Sequence, residues 1–547
     1  MRIVAHRGSR WHAPENSRVA LISGYTGGAD ALEFDVQITQ DGHLVISHDP
    51  TVERLTGQAG VIRGLTLAQL RELNFAATFQ PRNSPSFHYF DPNSKRKLVV
   101  ETLPDLLDYL PEDVELLIEL KHDSSLNTGL RDAFVSQAVR TITERVDPGR
   151  VVLYSKDPDN LRLARRLAPE LRLAAFDFEL DPLARFRLME EVNADGLVTD
   201  LESLLDDSGH LTELGAKLEA AFNSGARSLG AILYPKKGVF TKEQYESLSG
   251  RAFVWSLSTD SMIEIAPFAR PGVELVNERF AGRKVNRDVV ALGYAKANKY
   301  AEVTQDNGIH IKISEYDGAF PDPPATEVEL RLQNLEDDMM YVAKDWPFYS
   351  GGGLGLVLGI RGDFAAEVDY KVDNVAQATT LEMAVLNVDP GASQSKPPAS
   401  FRDKDSFYDP HGAPPYVGVE HDEDDGFRIN WNLGSEYDSN QYGKPVGDGK
   451  TPRGARLRLE RRGPYFSAYY KNAIDADGAP IDPQDWVCVG VVRNDSLNPV
   501  VYLRCVGKRW RQEKEDNPTE FMPILPNHFI FKNLILTRFQ QKKNNNR

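Results

Sequence analysis

The chain has 547 residues, of which 41% are apolar and 26% charged, and a formal net charge of −16. That length exceeds what one core can hold, so two or more globular domains are expected. The acidic balance argues against a nucleic-acid partner and a general attraction to anionic membranes, and no apolar run approaches the ~20 residues of a transmembrane segment.

The first strand begins at Arg2, leaving no room for an apolar leader. A cytoplasmic location is therefore expected, or a secreted one if a leader was removed. Ile3-Val4-Ala5 is too short for a helix and is stopped by a glycine, so it reads as a buried strand with His6 and Arg7 at its end. In Ala31–Val36, Glu33 and Asp35 are two apart and share one face. Two carboxylates on one face repel unless a cation lies between them, and a hard divalent ion, Ca²⁺ or Mg²⁺, suits oxygen ligands. Leu44–Ser47 ends in His48, which can serve as acid or base near neutral pH. Asp41-Gly42 marks a hairpin between these last two strands. Singly, each polar residue here could be a cap or a surface group. As a set, they would be costly to bury without partners.

Short apolar runs then alternate with helical patterns to about residue 285. Candidate strands are Glu115–Leu120, Val151–Tyr154, Leu173–Ala175, Gly196–Val198, Leu229–Leu233, Ala252–Leu257 and Val273–Val276. That is more than a closed (β/α)8 barrel uses. Thr66 and Thr102 are helix caps, and Pro104 sits near a helix start. Residues 77–98 read as a loop over the active face, in which Lys95, Arg96 and Lys97 meet either solvent or an anionic substrate. Glu119 and Lys121 share a strand face. Residues 285–301 read as the helix that closes the first domain, which spans 1–301.

From residue 302 to 547 the period changes to two. Runs at 310–313, 327–332, 366–372 and 456–460 alternate charged and apolar residues, as in antiparallel sheets with one wet face. A β-sandwich of jelly-roll type is expected. The acids of 421–426 could bind Ca²⁺ or form a solvated loop, and Tyr465, Tyr469, Tyr470 and Trp486 could form a sugar platform or core. The two cysteines, Cys488 and Cys505, exclude a disulfide scaffold.

His6-Arg7-Gly8, Pro14-Glu15-Asn16, Glu33-Phe34-Asp35-Val36, Thr39-Gln40-Asp41-Gly42, His48-Asp49 and Glu119-Leu120-Lys121 occur in the order and at the spacing that resemble the glycerophosphodiester phosphodiesterase family. The resemblance covers roughly residues 1–285. It implies a TIM barrel that hydrolyses glycerophosphodiesters to glycerol 3-phosphate and an alcohol. It implies one divalent cation held by Glu33, Asp35 and Glu119, with Arg7 and Lys121 on the substrate phosphate. His6 and His48 would share acid and base work, in an order left open. Ser155-Lys156, Trp255-Ser256-Leu257-Ser258 and Asn277-Glu278-Arg279-Phe280 depart from the family's pattern and leave the released alcohol open. Trp255 would line the substrate pocket or pack in the core. Stretches 362–368 and 457–470 resemble concanavalin A-like sandwiches, which implies a fold more than a function; a glycan is the candidate partner of this domain. Two other readings are a phospholipase D-like lyase on choline lipids and an inactive barrel beside a carbohydrate-binding sandwich. The first lacks the expected cysteine in the catalytic loop, and the second must explain an intact polar set.

Overall fold

This computed structural model describes the chain apart from residues 91–94, 124–125, 207, 226–228, 285, 287–288, 295–300, 314–348, 357–358, 376–378, 388–414, 423–425, 433–436, 442–450, 511–512, 515–516, 522–525 and 540–547. The chain divides into two compact units, one of Met1–Phe79 with Lys95–Pro271 and one of Gln80–Ser94 with Gly272–Arg547. The runs expected at 327–332 and the acids at 423–425 lie outside the described residues.

The strands of the first unit are β1 (Arg2–Ala5), β2 (Ala31–Ile38), β3 (Leu44–Ile46), β4 (Glu115–Leu120), β5 (Val151–Ser155), β6 (Arg172–Phe176), β7 (Gly196–Asp200), β8 (Ala231–Tyr234) and β9 (Val254–Thr259). Parallel pairing runs β1-β9-β8-β7-β6-β5-β4-β2, and β2 returns to β1, which closes a barrel. β3 pairs antiparallel to β2 outside that circuit, as the Asp41-Gly42 turn predicts. The interior is filled by Val4, Ala31, Leu117, Val152, Ala174, Val198, Ile232 and Trp255. It is a packed core, which leaves chemistry to the loops at the strand ends.

Local signals set the helices around it. Thr66 and Thr102 each accept a backbone N–H from the third residue on, and Pro104 lies in the first turn of Leu103–Tyr109. The Arg18–Thr26 helix is capped by Ser17, whose side chain accepts from the Ala20 N–H. The preceding Asn16 does not cap this helix; its side chain turns to Asp35. Gly8 has φ +81°, and a Cβ there would stand 2.2 Å from the Ala20 carbonyl carbon. Only glycine lets the chain pass so close under that helix.

Two expectations near residue 280 fail. Val273–Val276 is not a barrel strand: Gly272–Glu278 pairs antiparallel with Asn527–Phe539. Among the described residues of 285–301 the expected closing helix is not found, since Val290–Tyr294 is a strand paired with Tyr349–Leu356. In both cases a partner distant in sequence overrides the local pattern. The first unit accordingly ends at Pro271 rather than at residue 301.

The second unit holds two large antiparallel sheets beside a two-stranded one of Glu513–Lys514 and Asn517–Phe521. One runs Ala301–Gln305, Ile309–Ile313, Asn527–Phe539, Phe364–Val372, Gly454–Arg462, Tyr465–Ile474, Val487–Arg493. The other runs Val290–Tyr294, Tyr349–Leu356, Val500–Trp510, Thr379–Leu386, Tyr416–Asp422, Gly426–Asn432, Tyr437–Gln441. They face each other: Phe427 stacks on Tyr470 with ring centres 3.6 Å apart, and the Tyr370 hydroxyl meets His421 Nδ1 at 2.6 Å. Tyr465, Tyr469, Tyr470 and Trp486 are all buried, so they form no sugar platform. Cys488 and Cys505 are free, buried, and on different sheets.

Of the loop expected at 77–98, the described residues 80–90 group with this unit. The Tyr89 hydroxyl donates to the Cys488 carbonyl at 2.8 Å, and the Ser86 N–H donates to the Asp482 carboxylate at 2.6 Å. Lys95 and Arg96 are exposed, and Lys97 pairs with Glu72 at 2.9 Å. No helix among the described residues is long and apolar enough to cross a membrane.

Candidate active site

Strand register brings the predicted acids together. Asp35 on β2 lies directly opposite Glu119 on β4, which lies opposite Tyr154 on β5, so the three side chains share one face. Glu33 joins them from the same face of β2. Glu33, Asp35 and Glu119 each place one carboxylate oxygen within 4.8 Å of the others, and all three are buried.

Three acids so close cannot all stay charged at ordinary strength. Burial, and then the Asp35 charge, push Glu33 up to about 8. Burial pushes Glu119 up to about 7 against the pull of Lys121. At Asp35 burial is outweighed by Lys121 and Arg7, which hold it well below the usual carboxylate range. Lys121 Nζ lies 2.8 Å from Glu119 and 3.4 Å from Asp35. Asp35 Oδ1 is buried without a hydrogen-bond partner. It forms an ion pair with Lys121, and three buried carboxylates with oxygens this close are the hard donor set a divalent cation takes, so these residues fit such an ion.

The loop after β1 wraps this cluster. Arg7 has φ +54° and Asn16 φ +56°, both in the left-handed region that side chains avoid. The twist at Arg7 turns its backbone N–H onto Glu33 Oε2 at 2.7 Å. Its guanidinium reaches Glu15 at 3.0 Å and faces Asp35 at 3.5 Å. Asn16 grips Asp35 twice: Nδ2 donates to Oδ2 at 2.8 Å, and the Asp35 N–H donates to Oδ1 at 3.1 Å.

Each predicted imidazole is oriented by its own carboxylate. His6 Nδ1 lies 2.8 Å from Asp260 Oδ1 and its Nε2 stands 4.0 Å from Glu33 Oε2. With the Nδ1 proton shared with Asp260, the free Nε2 lone pair faces the cluster. Burial lowers the His6 pKa, against the opposing pull of Asp260. His48 Nδ1 lies 2.7 Å from Asp49, and burial lowers its pKa as well, with the Asp35 charge opposing. Asp49 is tied to Arg54, which donates to Glu15 at 2.6 Å.

Trp255 does not join the site. It is the second residue of β9, far from the strand's C-terminal end, and packs in the barrel interior with the Arg2 guanidinium 4.9 Å over its ring. The sequence reading missed Asp260, Arg10, Tyr154 and Tyr234. Arg10 holds Asp260 at 2.7 Å, the Tyr154 hydroxyl donates to Glu33 Oε1 at 2.6 Å, and Tyr234 packs edge-on to His6 with ring centres 4.8 Å apart. Asp260 and Tyr234 do carry a signal: each is a polar residue at the C-terminal end of a barrel strand, where this fold places its chemistry.

Residues 6–200 match the description of the Glycerophosphoryl diester phosphodiesterase family. Those residues form a domain of that family. A glycerophosphodiester phosphodiesterase of Caldanaerobacter subterraneus subsp. tengcongensis is 30% identical over 175 residues, 31% of this chain and 64% of that protein. One of Bacillus subtilis is 27% identical over 173 residues, 31% of this chain and 56% of that protein. The chain thus spans a little under two thirds of the length of the first of these relatives. An Oleispira antarctica phosphodiesterase, solved with the product sn-glycerol-3-phosphate, aligns with a TM-score of 0.39 at 19% identity, covering 49% of this chain and 96% of that one. The family domain carries His6, Arg7, Glu33, Asp35, His48, Glu119 and Lys121.

Proposed function

We propose that the barrel hydrolyses glycerophosphodiesters to glycerol 3-phosphate and an alcohol, with a divalent cation, Ca²⁺ or Mg²⁺, as cofactor. The observation that carries this reading is the buried trio Glu33, Asp35 and Glu119, with oxygens within 4.8 Å of one another, set inside the family domain. These three residues would hold the cation, which supplies positive charge to a phosphoryl group. Arg7 and Lys121 add fixed cationic charge beside the same carboxylates, where charge on a phosphodiester's equatorial oxygens would build.

His6 and His48 supply the proton transfers. Each is held through Nδ1 by an acid, which leaves Nε2 free to take a proton or, once protonated, to give one. Burial lowers both pKa values, which favours the neutral form a base needs; the other imidazole acts as acid once it has taken a proton from solvent, which the substrate's negative charge favours. Donating that proton to the leaving alkoxide matters because an alkoxide is a poor leaving group.

Formation of glycerol 3-phosphate from glycerophosphocholine, followed with and without chelator, tests the proposal. Chelator-sensitive formation of glycerol 3-phosphate that His6→Ala and His48→Ala both remove is the expected result. Choline lipids cleaved to a cyclic phosphate would replace it with the lyase reading, and no turnover on any phosphodiester would overturn both. A glycan at the second unit has its support in the concanavalin A-like resemblance; binding of the full chain to a glycan array tests it.

A further inference from the structure

The second unit holds a cleft of about 830 Å³ where the chain crosses from one sheet to the other. Ile360–Arg361 pairs with Val500 and Val501 in one sheet, and three residues later Phe364 begins a strand of the other. Three arginines, Arg361, Arg461 and Arg538, line this cleft. Arg461 and Arg538 lie directly opposite Phe364 on its two neighbouring strands. They therefore project from the same sheet face, two strand spacings or roughly 10 Å apart.

Arg461 is only 6% exposed. Its Nε and Nη2 donate to the carbonyls of Gly463 and Asn498, at 3.0 and 2.9 Å, while Nη1 is buried with no hydrogen-bond partner. Three residues back on the same strand, Arg458 is also buried, but Glu367 and Glu460 both hold it. Arg461 has no such pair. Asp363 is the acid that acts on it, and its Oδ1 accepts the Gly463 N–H at 2.9 Å. Asp495, also in the lining, pairs with Arg493 at 2.8 Å. Arg361 and Arg538 form no ion pair with the described residues. Three guanidinium groups thus face one uncommitted carboxylate, an excess of two positive charges in a chain whose net charge is −16. Leu497 and Phe539 give the cleft apolar walls.

We propose that this cleft binds a small organic phosphate monoester, with the phosphate on Arg461 Nη1 between Arg361 and Arg538. The two excess charges match a phosphate dianion, guanidinium forks match its oxygens, and the volume admits a body the size of a sugar. The site is separate from the barrel and does not depend on the barrel's reaction.

Titration calorimetry of the full chain with glucose 6-phosphate tests it, with acetate at equal ionic strength as the monoanion control. Saturable binding of glucose 6-phosphate is expected, at least tenfold tighter than acetate. The double variant Arg361→Gln, Arg538→Gln should weaken it at least tenfold, with turnover on glycerophosphodiesters unchanged. Arg461→Lys, which keeps the charge and loses the fork, should weaken it similarly. The double variant changes only exposed side chains, so it serves as the test even if Arg461→Lys unfolds. Undetectable binding, acetate binding as tightly, or parental affinity in the double variant overturns the proposal.

Discussion

His6 owes its orientation to a residue 254 positions away, Asp260, which is itself clamped by Arg10. If His6 moves a proton through Nε2, removing the Asp260 charge should leave substrate binding intact and slow the chemistry. Asp260→Asn is expected to lower kcat by roughly 10–100-fold with little change in KM, against ~10³-fold or more for His6→Ala. Steady-state kinetics on glycerophosphocholine separate the two. The acids give a second residue-level expectation. If Glu33 is a ligand to a divalent cation, that ion at ~100 times its Kd should stabilise the parent by about 2.7 kcal/mol and Glu33→Gln hardly at all. Thermal unfolding with Ca²⁺, Mg²⁺ and chelator checks this and ranks the two ions. The acids, the imidazoles, Arg7 and Lys121 were legible because they sit in short local motifs. Asp260, Arg10 and Tyr154 were not, because what joins them to the cluster is contact between residues far apart in sequence. Trp255 shows the opposite failure: an aromatic near a family motif looked like a pocket wall, and strand direction sends it to the far end.

Among the elements, the tightest constraint is the β1 loop. Gly8 must take a left-handed backbone beneath the Arg18–Thr26 helix, and a methyl group there meets the Ala20 carbonyl. Gly8→Ala should cost more than about 2 kcal/mol of unfolding free energy, from strain and clash together, and should also weaken cation binding by displacing the Arg7 N–H from Glu33. Urea denaturation and a cation titration read the two effects separately. In the second unit, Glu367 is held by Arg456 at 2.7 Å and by Arg458, and against the cost of burial these charges keep its pKa below the ordinary value. A depressed carboxylate stabilises above its unfolded pKa, near 4.3, and loses that contribution as pH falls through its folded value. The unfolding midpoint should drop below about pH 4.3, and Glu367→Gln should flatten that acid slope. The elements most readable in the sequence were those with local logic: the barrel strands, the Thr66 and Thr102 caps, the hairpin at Asp41-Gly42. Gly272–Glu278 and Val290–Tyr294 misled because their paired residues lie 256 or more and about 60 residues onward, and no short window along the chain contains both.

At the scale of the whole molecule, each unit has its own core, the barrel interior around Trp255 and the facing layer of Phe427 and Tyr470. Calorimetry should therefore show the divalent cation moving only the transition of the barrel, and the acid sensitivity of Glu367 only that of the second unit. A single transition moved by both would mean that the cores unfold together. The place of Asn527–Phe539 has a further consequence for how the chain is made. That strand is central in its sheet, flanked by Gly272–Glu278, Ile309–Ile313 and Phe364–Val372. On the ribosome the barrel's strands are complete by residue 259, yet this sheet waits for its middle member until residue 539 has emerged. Throughout that interval three earlier strands present unpaired edges, so premature termination before residue 527 should yield aggregates rather than a shortened soluble protein.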